Sequence, residues 1–316
     1  MECEAMLEAV REGGMLPAGT PLVAMLSGGR DSVCLLDLGA RLLGAEAVTA
    51  LHVNYGLRED SDADEAHCAA LCERLGVGLE VERPRRPEGS GNLQAWARDA
   101  RYAAAARLAL ADEALIAAGH TADDQVETIL YRLASSPSRR ALLGMRPRDG
   151  RLVRPLLGFT REQTTAYCEG RGLPWRDDPS NDESAYARNR VRHGLARAIA
   201  EVHPAAARNV LQTAELLRDE AEVLDALVAA ELDGSNGAPR NTIELDRLAQ
   251  LPAALRRLVV QQLADRAAGR PVAGAARHAE EVAALRPTGT AMLDLGGGVR
   301  AVAERGLLRA EQPCRP

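Results

Sequence analysis

The residues best placed to do chemistry fall into three clusters. The first is Ser27-Gly28-Gly29-Arg30-Asp31-Ser32. The apolar run Leu22-Val23-Ala24-Met25-Leu26 precedes it and a helical stretch from Asp31 to about Leu43 follows, so the cluster reads as a strand end, a tight turn and a helix start. Two glycines let the backbone turn sharply and approach a ligand closely. Two Ser hydroxyls and the open N–H groups of the helix start then face one point, where the helix dipole favours an anion. Asp31 cannot take a phosphate itself, but it can hold a Mg²⁺ that neutralises one. A Gly-Gly turn before a helix is often only a turn; the full strand–SGGxDS–helix pattern is specific.

The second cluster is Gly119-His120-Thr121-Ala122-Asp123-Asp124-Gln125-Val126-Glu127-Thr128. Asp124 and Glu127 are three apart, so both carboxylates project from one helix face. With no basic neighbour in sequence, the pair suits an ammonium group or a metal. Thr121 or Asp123 can instead cap that helix. His120 at the strand end suits a general acid/base or a phosphate donor, and equally a structural histidine. The third cluster is Asp177-Asp178-Pro179-Ser180-Asn181 followed by Arg188-Asn189-Arg190-Val191-Arg192. Arg188 and Arg192 share a helix face, and guanidinium forks grip carboxylates and phosphates bidentately. The bland alternative pairs these arginines with Asp177, Asp178 and Asp182.

The elements that must position these clusters alternate between strand and helix. Strands are expected at Leu22–Leu26, Val48–Val53, Val77–Val81, Ala114–Ala118 and Leu152–Leu157. Helices are expected at Asp31–Leu43, Asp62–Leu75, from a cap at Asn92 to about Ala111, at Asp123–Leu133 and at Thr160–Gly170. This order predicts a parallel sheet with helices on both faces and ligands at the carboxyl ends of its strands. Those ends carry Ser27-Gly28-Gly29, Asn54 and His120, so three polar groups converge on one edge. A long amphipathic helix is expected from His203 to Glu231, with Leu211, Leu216, Leu217, Leu224 and Leu227 on its apolar side. A Gly/Ser/Asn/Pro linker at Asp233–Asn241 leads to a smaller, mostly helical unit with one hairpin near Leu293–Val302. The expected domains are 1–202 and 203–316.

Composition narrows the chemistry. The 316 residues contain no lysine, so all 39 basic residues are arginine. A Schiff-base lysine and a Walker A loop are therefore excluded. Phosphate must be held by backbone N–H groups, arginine or a metal. With aromatics at 3%, the core must be built from Ala, Leu and Val. Net charge is −6, yet residues 139–218 hold 15 Arg against 9 acids. An acidic chain with a basic middle is a modest signal for a polyanionic partner, and solvated helix faces explain it equally well. Six cysteines form no C-x-x-C pair. Residues 1–10 lack a basic region followed by an apolar run, and no apolar stretch reaches the roughly 20 residues that span a bilayer. A reduced, cytoplasmic protein without membrane contact is expected.

The glycine loop matches the pyrophosphate loop of the N-type ATP pyrophosphatases. The full set resembles one branch of them. Ser27–Ser32, His52-Val53-Asn54-Tyr55-Gly56-Leu57-Arg58, Gly91-Asn92-Leu93 with Arg98 and Arg101-Tyr102, His120–Thr128, and Asp178-Pro179-Ser180-Asn181 with Arg188-Asn189-Arg190 occur in order. Together they resemble the tRNA(Ile)-lysidine synthases over about residues 20–195. The tail is similar to that family's small second domain, through weaker motifs such as Gly296-Gly297-Gly298-Val299-Arg300.

This resemblance implies a PP-loop, Rossmann-like catalytic domain at 1–202 and a linker helix with a small tRNA-binding domain at 203–316. It implies a ligase that uses ATP to adenylate the wobble cytidine of an isoleucine tRNA with a CAU anticodon. Free L-lysine then displaces AMP to form lysidine. The implied nucleotide contacts are Ser27, Gly28, Gly29, Arg30, Asp31, Ser32, Arg98 and Arg101, with Asp31 on Mg²⁺. Asp124 and Glu127 take the lysine amino group. Arg188 or Arg192 takes its carboxylate or the tRNA backbone, and His120 lines the nucleotide site. The expected partners are that tRNA and free lysine, with a homodimer as the assembly.

The stretch Ser135–Arg140 departs from the family's glycine-rich pattern, and Tyr55 stands where a histidine is common. Two other readings compete. A 2-thiocytidine-type sulfur transferase shares the loop but brings paired cysteines. A non-catalytic tRNA-binding relative would fit the altered loop.

Overall fold

The computed structural model describes residues 2–57, 60–87, 91–111, 113–136, 139–176, 190–234, 239–286 and 288–313. Arg58, Pro137, Ser138, the Asp177–Asn181 cluster, Arg188, Asn189 and Cys314 lie outside these. The chain divides into two compact units, residues 1–215 and 216–316.

The first unit follows the alternation of the sequence. Its elements are α1 (Glu2–Glu12), β1 (Leu22–Met25), α2 (Arg30–Leu43), β2 (Val48–Val53), α3 (Ser61–Leu75), β3 (Gly78–Glu82), α4 (Leu93–Ala111), β4 (Leu115–Ala117) and α5 (Ala122–Ser135). After these come α6 (Arg139–Leu142), β5 (Arg148–Asp149), β6 (Leu152–Val153), α7 (Arg161–Gly170), a π-helical turn at Val191–Leu195 and α8 (Ala196–Val202). The strands form one sheet in the order β3-β2-β1-β4-β6-β5. Every pairing is parallel except the edge pair β5–β6.

Strand periodicity divides the core between the two faces. Leu22, Ala24, Val48, Ala50, Leu115 and Ala117 face α1, α2, α3 and α7, whose Val33, Leu36, Cys68, Leu71 and Tyr167 complete one layer. Val23, Met25, Leu51, Val53 and Ile116 face α4. There the helix offers Ala104, Ala105 and Ala109, small side chains that let it lie close to the sheet. The chain therefore leaves β1 for β2 over one face and enters β4 over the other. That reversal opens a crevice at the carboxyl ends of β1 and β4.

Helix α7 is tied to α2 by a buried carboxylate. Asp37 is 1% exposed. It accepts from the Tyr167 hydroxyl at 2.6 Å and from both Nε and Nη2 of Arg171, at 3.1 and 3.2 Å. Arg41 Nη1 donates to the same tyrosine oxygen at 3.3 Å. Burial and the Asp37 carboxylate together push the Tyr167 hydroxyl well above its ordinary pKa, so it stays a donor.

Two expectations needed correction in detail. The strand expected at Leu152–Leu157 stops at Val153, because the chain turns at once to start α7. The long helix is α9 (Ala206–Leu232), beginning past the break at His203-Pro204. Its buried line is Ala214, Ala221, Val228 and Leu232, whereas Leu216 and Leu227 are exposed at 65% and 49%. The buried line therefore steps by seven from Ala214 to Ala221 to Val228 and then by four to Leu232, and leucine content alone does not reveal it.

The second unit also contains more sheet than the single hairpin expected. Strands β7 (Thr242–Glu244), β8 (Thr290–Gly296), β9 (Val299–Glu304) and β10 (Leu307–Glu311) form an antiparallel sheet in the order β7-β10-β9-β8. Helices α10 (Leu245–Gln250), α11 (Ala253–Ala268) and α12 (Ala279–Ala283) accompany it. Val259, Val260, Leu263 and Ala264 of α11 share a core with Val299, Ala301, Ala303 and Leu308. The second hairpin turns on Arg305-Gly306, both at positive φ (52° and 79°), the geometry that twists with its strands.

The Asp37 anchor is testable by urea unfolding. Asp37→Ala leaves a buried hydroxyl and a guanidinium without their acceptor and should cost about 2–3 kcal/mol. Tyr167→Phe removes a single hydroxyl and should cost about 1 kcal/mol.

Candidate active site

The crevice at the ends of β1 and β4 gathers the first two clusters. After β1 the chain turns through Gly28 at φ +83°, a conformation that L side chains rarely adopt. A Cβ there would also lie 3.3 Å from Cys68 Sγ. Helix α2 starts from Gly29 without a side-chain cap, so its first N–H groups have no side chain competing for them. Ser27 Oγ and Ser32 Oγ lie 3.1 Å apart, and Ser32 Oγ donates to Gly29 O at 2.7 Å. The two hydroxyls and the helix start therefore converge as expected of an anion cradle.

Asp31 sits one step into α2. Its Oδ1 accepts from the Thr164 hydroxyl of α7 at 2.5 Å. Burial pushes its carboxyl above the usual range, against the lowering effect of that hydrogen bond and of Arg30. Across the crevice, the end of β4 presses on the same turn. A Cβ on Gly119 would stand 2.9 Å from the Asp31 carbonyl oxygen and 3.2 Å from Ser32 N. Only glycine lets the two backbones approach this closely. His120, next in the chain, is half-buried at this edge.

Helix α5 starts at a capping box. Thr121 Oγ1 accepts from Asp124 N at 3.5 Å, and Asp124 Oδ2 accepts from Thr121 N at 2.9 Å. Thr121 is thus the cap, and Asp123 is free for another partner. Asp124 has a dual role: one oxygen caps the helix and the other faces outward to a cation. That cation is Arg161, the first residue of α7. Its Nη2 donates to Asp124 Oδ1 at 2.6 Å and its Nη1 to Glu127 Oε1 at 2.8 Å. Its backbone N–H donates to Asp123 Oδ2 at 2.8 Å. Glu127 is 3% exposed, and Arg192 Nε lies 3.8 Å from the same oxygen. The carboxylates read as lacking a basic neighbour therefore have one supplied by the fold.

Arg161 is the member of this group that the sequence reading missed. Its one local signal is the helix start Thr160-Arg161-Glu162-Gln163, where Thr160 and Gln163 form a second capping box. Nothing along the chain ties it to residues 34 and 37 positions earlier.

The other residues expected at the site have these partners in the structure. Arg98 and Arg101 lie on α4 and stack over Tyr102, at 4.7 and 5.8 Å from its ring centroid. Asn54, at the end of β2, donates to Asp62 at 3.0 Å and to Glu65 at 2.9 Å, so it anchors the start of α3. Among the described residues, Arg30 Nε donates to Asp31 at 3.5 Å. Among the described residues, no group of three or more His, Cys, Asp or Glu is arranged to hold a metal. A magnesium ion at Asp31 would therefore take the rest of its shell from phosphate oxygens and water, which is its usual manner. Burial pushes the Cys68 thiol up to about 12 and the Cys72 thiol up to about 11, so these two neighbours are poor thiolate ligands.

Comparison with known proteins bears on this geometry. Residues 6–199 match the PP-loop domain family ATP_bind_3. The tRNA(Ile)-lysidine synthase of Thermus thermophilus is 39% identical over 298 residues, covering 91% of this chain and 56% of that protein. The one from Leifsonia xyli subsp. xyli is 37% identical over 305 residues, covering 93% of this chain and 90% of that protein. The chain belongs to the tRNA(Ile)-lysidine synthase family. It spans about half the length of the first such relatives, at 56% and 48% of the Thermus thermophilus and Pseudomonas fluorescens proteins. Among solved structures, a U34-tRNA thiolase, NcsA, from Methanococcus maripaludis superposes with a TM-score of 0.58 at 17% identity. That likeness covers 69% of this chain and 79% of the thiolase and concerns the fold.

Two variants test the geometry. Gly119→Ala forces a methyl group into the Asp31 backbone and should cost about 1–3 kcal/mol of stability, read by thermal unfolding. Asp31→Asn tests the burial of that charge. Because the folded state holds the Asp31 proton more tightly than the unfolded state, the charged form costs stability above the raised pKa, and the cost fades as pH falls through it. The variant should therefore raise the neutral-pH Tm of the ligand-free chain by about 2–4 °C. Toward acid pH the two melting curves should converge.

Proposed function

We propose that this chain is a tRNA(Ile)-lysidine synthase in activity as well as in family. In this reading it adenylates the C2 oxygen of the wobble cytidine of a CAU-anticodon isoleucine tRNA with ATP, releasing diphosphate. The ε-amine of free lysine then attacks C2 and AMP departs. One observation carries the reading. The first turn of α7 touches both halves of the required site, with Thr164 on the loop carboxylate Asp31 and Arg161 on the acidic pair Asp124 and Glu127. A phosphate cradle and a cation pocket on one short helix turn suit a reaction that joins a nucleotide to an amine.

The residues divide the work accordingly. Ser27, Gly28, Gly29 and Ser32 cradle the diphosphate through backbone N–H groups and hydroxyls. Asp31 is the carboxylate suited to hold Mg²⁺, which when bound neutralises phosphate charge. Asp124 and Glu127 hold a lysine amino group. Arg192, and Arg188 beyond the described residues, serve the lysine carboxylate or the tRNA backbone. His120 lines the nucleotide site, and Arg98 and Arg101 serve ATP or tRNA phosphates from α4. The basic stretch 139–218 faces the polyanion, in keeping with a chain that has only arginine for this purpose. Among the described residues no helix is long and apolar enough to cross a membrane, and we place the reaction in the cytoplasm.

The test uses the purified chain with ATP, labelled lysine and unmodified tRNA, followed by analysis of the labelled nucleoside. Asp31→Ala should lower both diphosphate release and lysine incorporation by about 100-fold or more. Glu127→Ala should raise the KM for lysine by at least about tenfold. Undiminished activity in both variants would sink the assignment.

A further inference from the structure

The chain is poor in aromatic residues, with two Trp, five Tyr and one Phe. Three of these, Tyr55, Trp96 and Tyr102, gather at one place with two arginines among them. Tyr55 lies just past the carboxyl end of β2, and Trp96 and Tyr102 stand on the first turns of α4. The group therefore borders the edge of the sheet where the crevice opens. Tyr55 and Trp96 form an edge-to-face pair, with centroids 5.7 Å apart and planes at 64°. The Tyr55 hydroxyl donates to Ala97 O at 2.8 Å, which fixes its ring against α4. Tyr55 and Tyr102 pack on the core that holds Met25 and Val53, but Trp96 is not part of that core. An edge-to-face contact covers at most one face of a ring. The half-buried indole thus keeps a face that Tyr55 leaves open. Leu57, two residues beyond Tyr55, is also exposed.

The arginines of this patch lack the partners that a purely structural cluster would give them. Among the described residues no carboxylate pairs with Arg98 or Arg101. Arg101 Nε and the Tyr102 hydroxyl are buried without a hydrogen-bond partner. Buried polar atoms ordinarily find one, so these point to a ligand that supplies acceptors. We propose that the patch is a stacking platform for an unpaired base of the RNA substrate. The base lies on the open face of Trp96, and Arg98 and Arg101 take the phosphates that flank it. Every base has a π face and every nucleotide a phosphate, so a single strand alternates the two chemistries found together here. ATP is the poorer match. It has one base, and in the reading above its phosphates belong to the glycine loop at the start of α2, which packs on the sheet face opposite α4. The inference rests on that same reading, in which the substrate is a tRNA. It gives Tyr55, which departs from the family's histidine, the task of holding Trp96 in place, and it narrows the duty of Arg98 and Arg101 to RNA.

The experiment follows the tryptophan fluorescence of the full chain. Trp175→Phe, a change in the core beside α2 and α7, leaves Trp96 as the single tryptophan. Titration with the unmodified CAU anticodon stem-loop should quench its emission, and a fully paired RNA stem should not. In the otherwise wild-type chain, Trp96→Ala should raise the Kd for the stem-loop by about tenfold or more, and Trp96→Phe should recover most of that loss. Arg98→Gln should lower the slope of log Kd against log salt by about 0.7, the amount expected for one phosphate of a single strand. Thermal melting of each variant reports folding, and the Trp96 signal is read without altering the platform. Stem-loop binding that leaves the Trp96 emission unchanged would overturn the inference. So would quenching by ATP alone, which would make the ring a nucleotide platform. A chain that binds no isoleucine tRNA would instead remove the functional reading, and this inference with it.

Discussion

Two carboxylates placed side by side on one helix and withdrawn from water repel each other and need a counter-charge. Asp124 and Glu127 are in this position. Arg161 resolves it by bridging them with separate Nη groups, and the surrounding carboxylates in turn hold its own proton more firmly than usual. Everything else in the crevice is built around that bridge. The first turn of α7 must lie against the first turn of α5, so Phe159 O accepts from Ala122 N at 2.8 Å and Asp123 accepts from Arg161 N. One turn further along, Thr164 then reaches Asp31.

A helix that carries this much of the site must itself be held. Its far end is fixed by Asp37, Tyr167 and Arg171, two turns from Arg161. The buried Asp37 is acceptable because three donors meet it, and Arg171 is partly exposed, which limits the desolvation cost. Helix α2 is therefore bound to α7 at two points, by Asp31–Thr164 at its start and by Asp37–Tyr167 at its middle. The glycine loop and the acidic helix then share one rigid support, which holds reacting groups more precisely than loops do.

The absence of lysine from the chain acquires a structural meaning here. Arginine is the cation at these described contacts, with Arg161 on two acids, Arg171 on Asp37, Arg132 on Gly144 O and Arg154 on Arg146 O. A planar fork has directed donors and tolerates partial burial better than a strongly hydrated ammonium. The glycine loop itself contains no lysine, and what it presents are backbone N–H groups at a helix start and the Ser27 and Ser32 hydroxyls.

The sequence by itself determined the alternation of strands and helices, the glycine turn, the helix face shared by Asp124 and Glu127, and the exclusion of lysine chemistry. These are local properties: hydrophobic period, turn chemistry and residue type act within a few positions of each other. It also suggested the three clusters in order, which single motifs would not have secured. The tertiary structure alone decided which groups meet. Asp124 turned out to cap its own helix, Asn54 to anchor α3, and Arg98 with Arg101 to stack on Tyr102. The short strand β6 and the buried line of α9 were hidden for the same reason, since both depend on what packs against them. Arg161 meets its carboxylates across more than thirty residues of intervening chain, because the sheet brings the starts of α5 and α7 together. No periodicity encodes such a pairing; it follows from strand order, and the strand order is set by packing on both faces of the sheet.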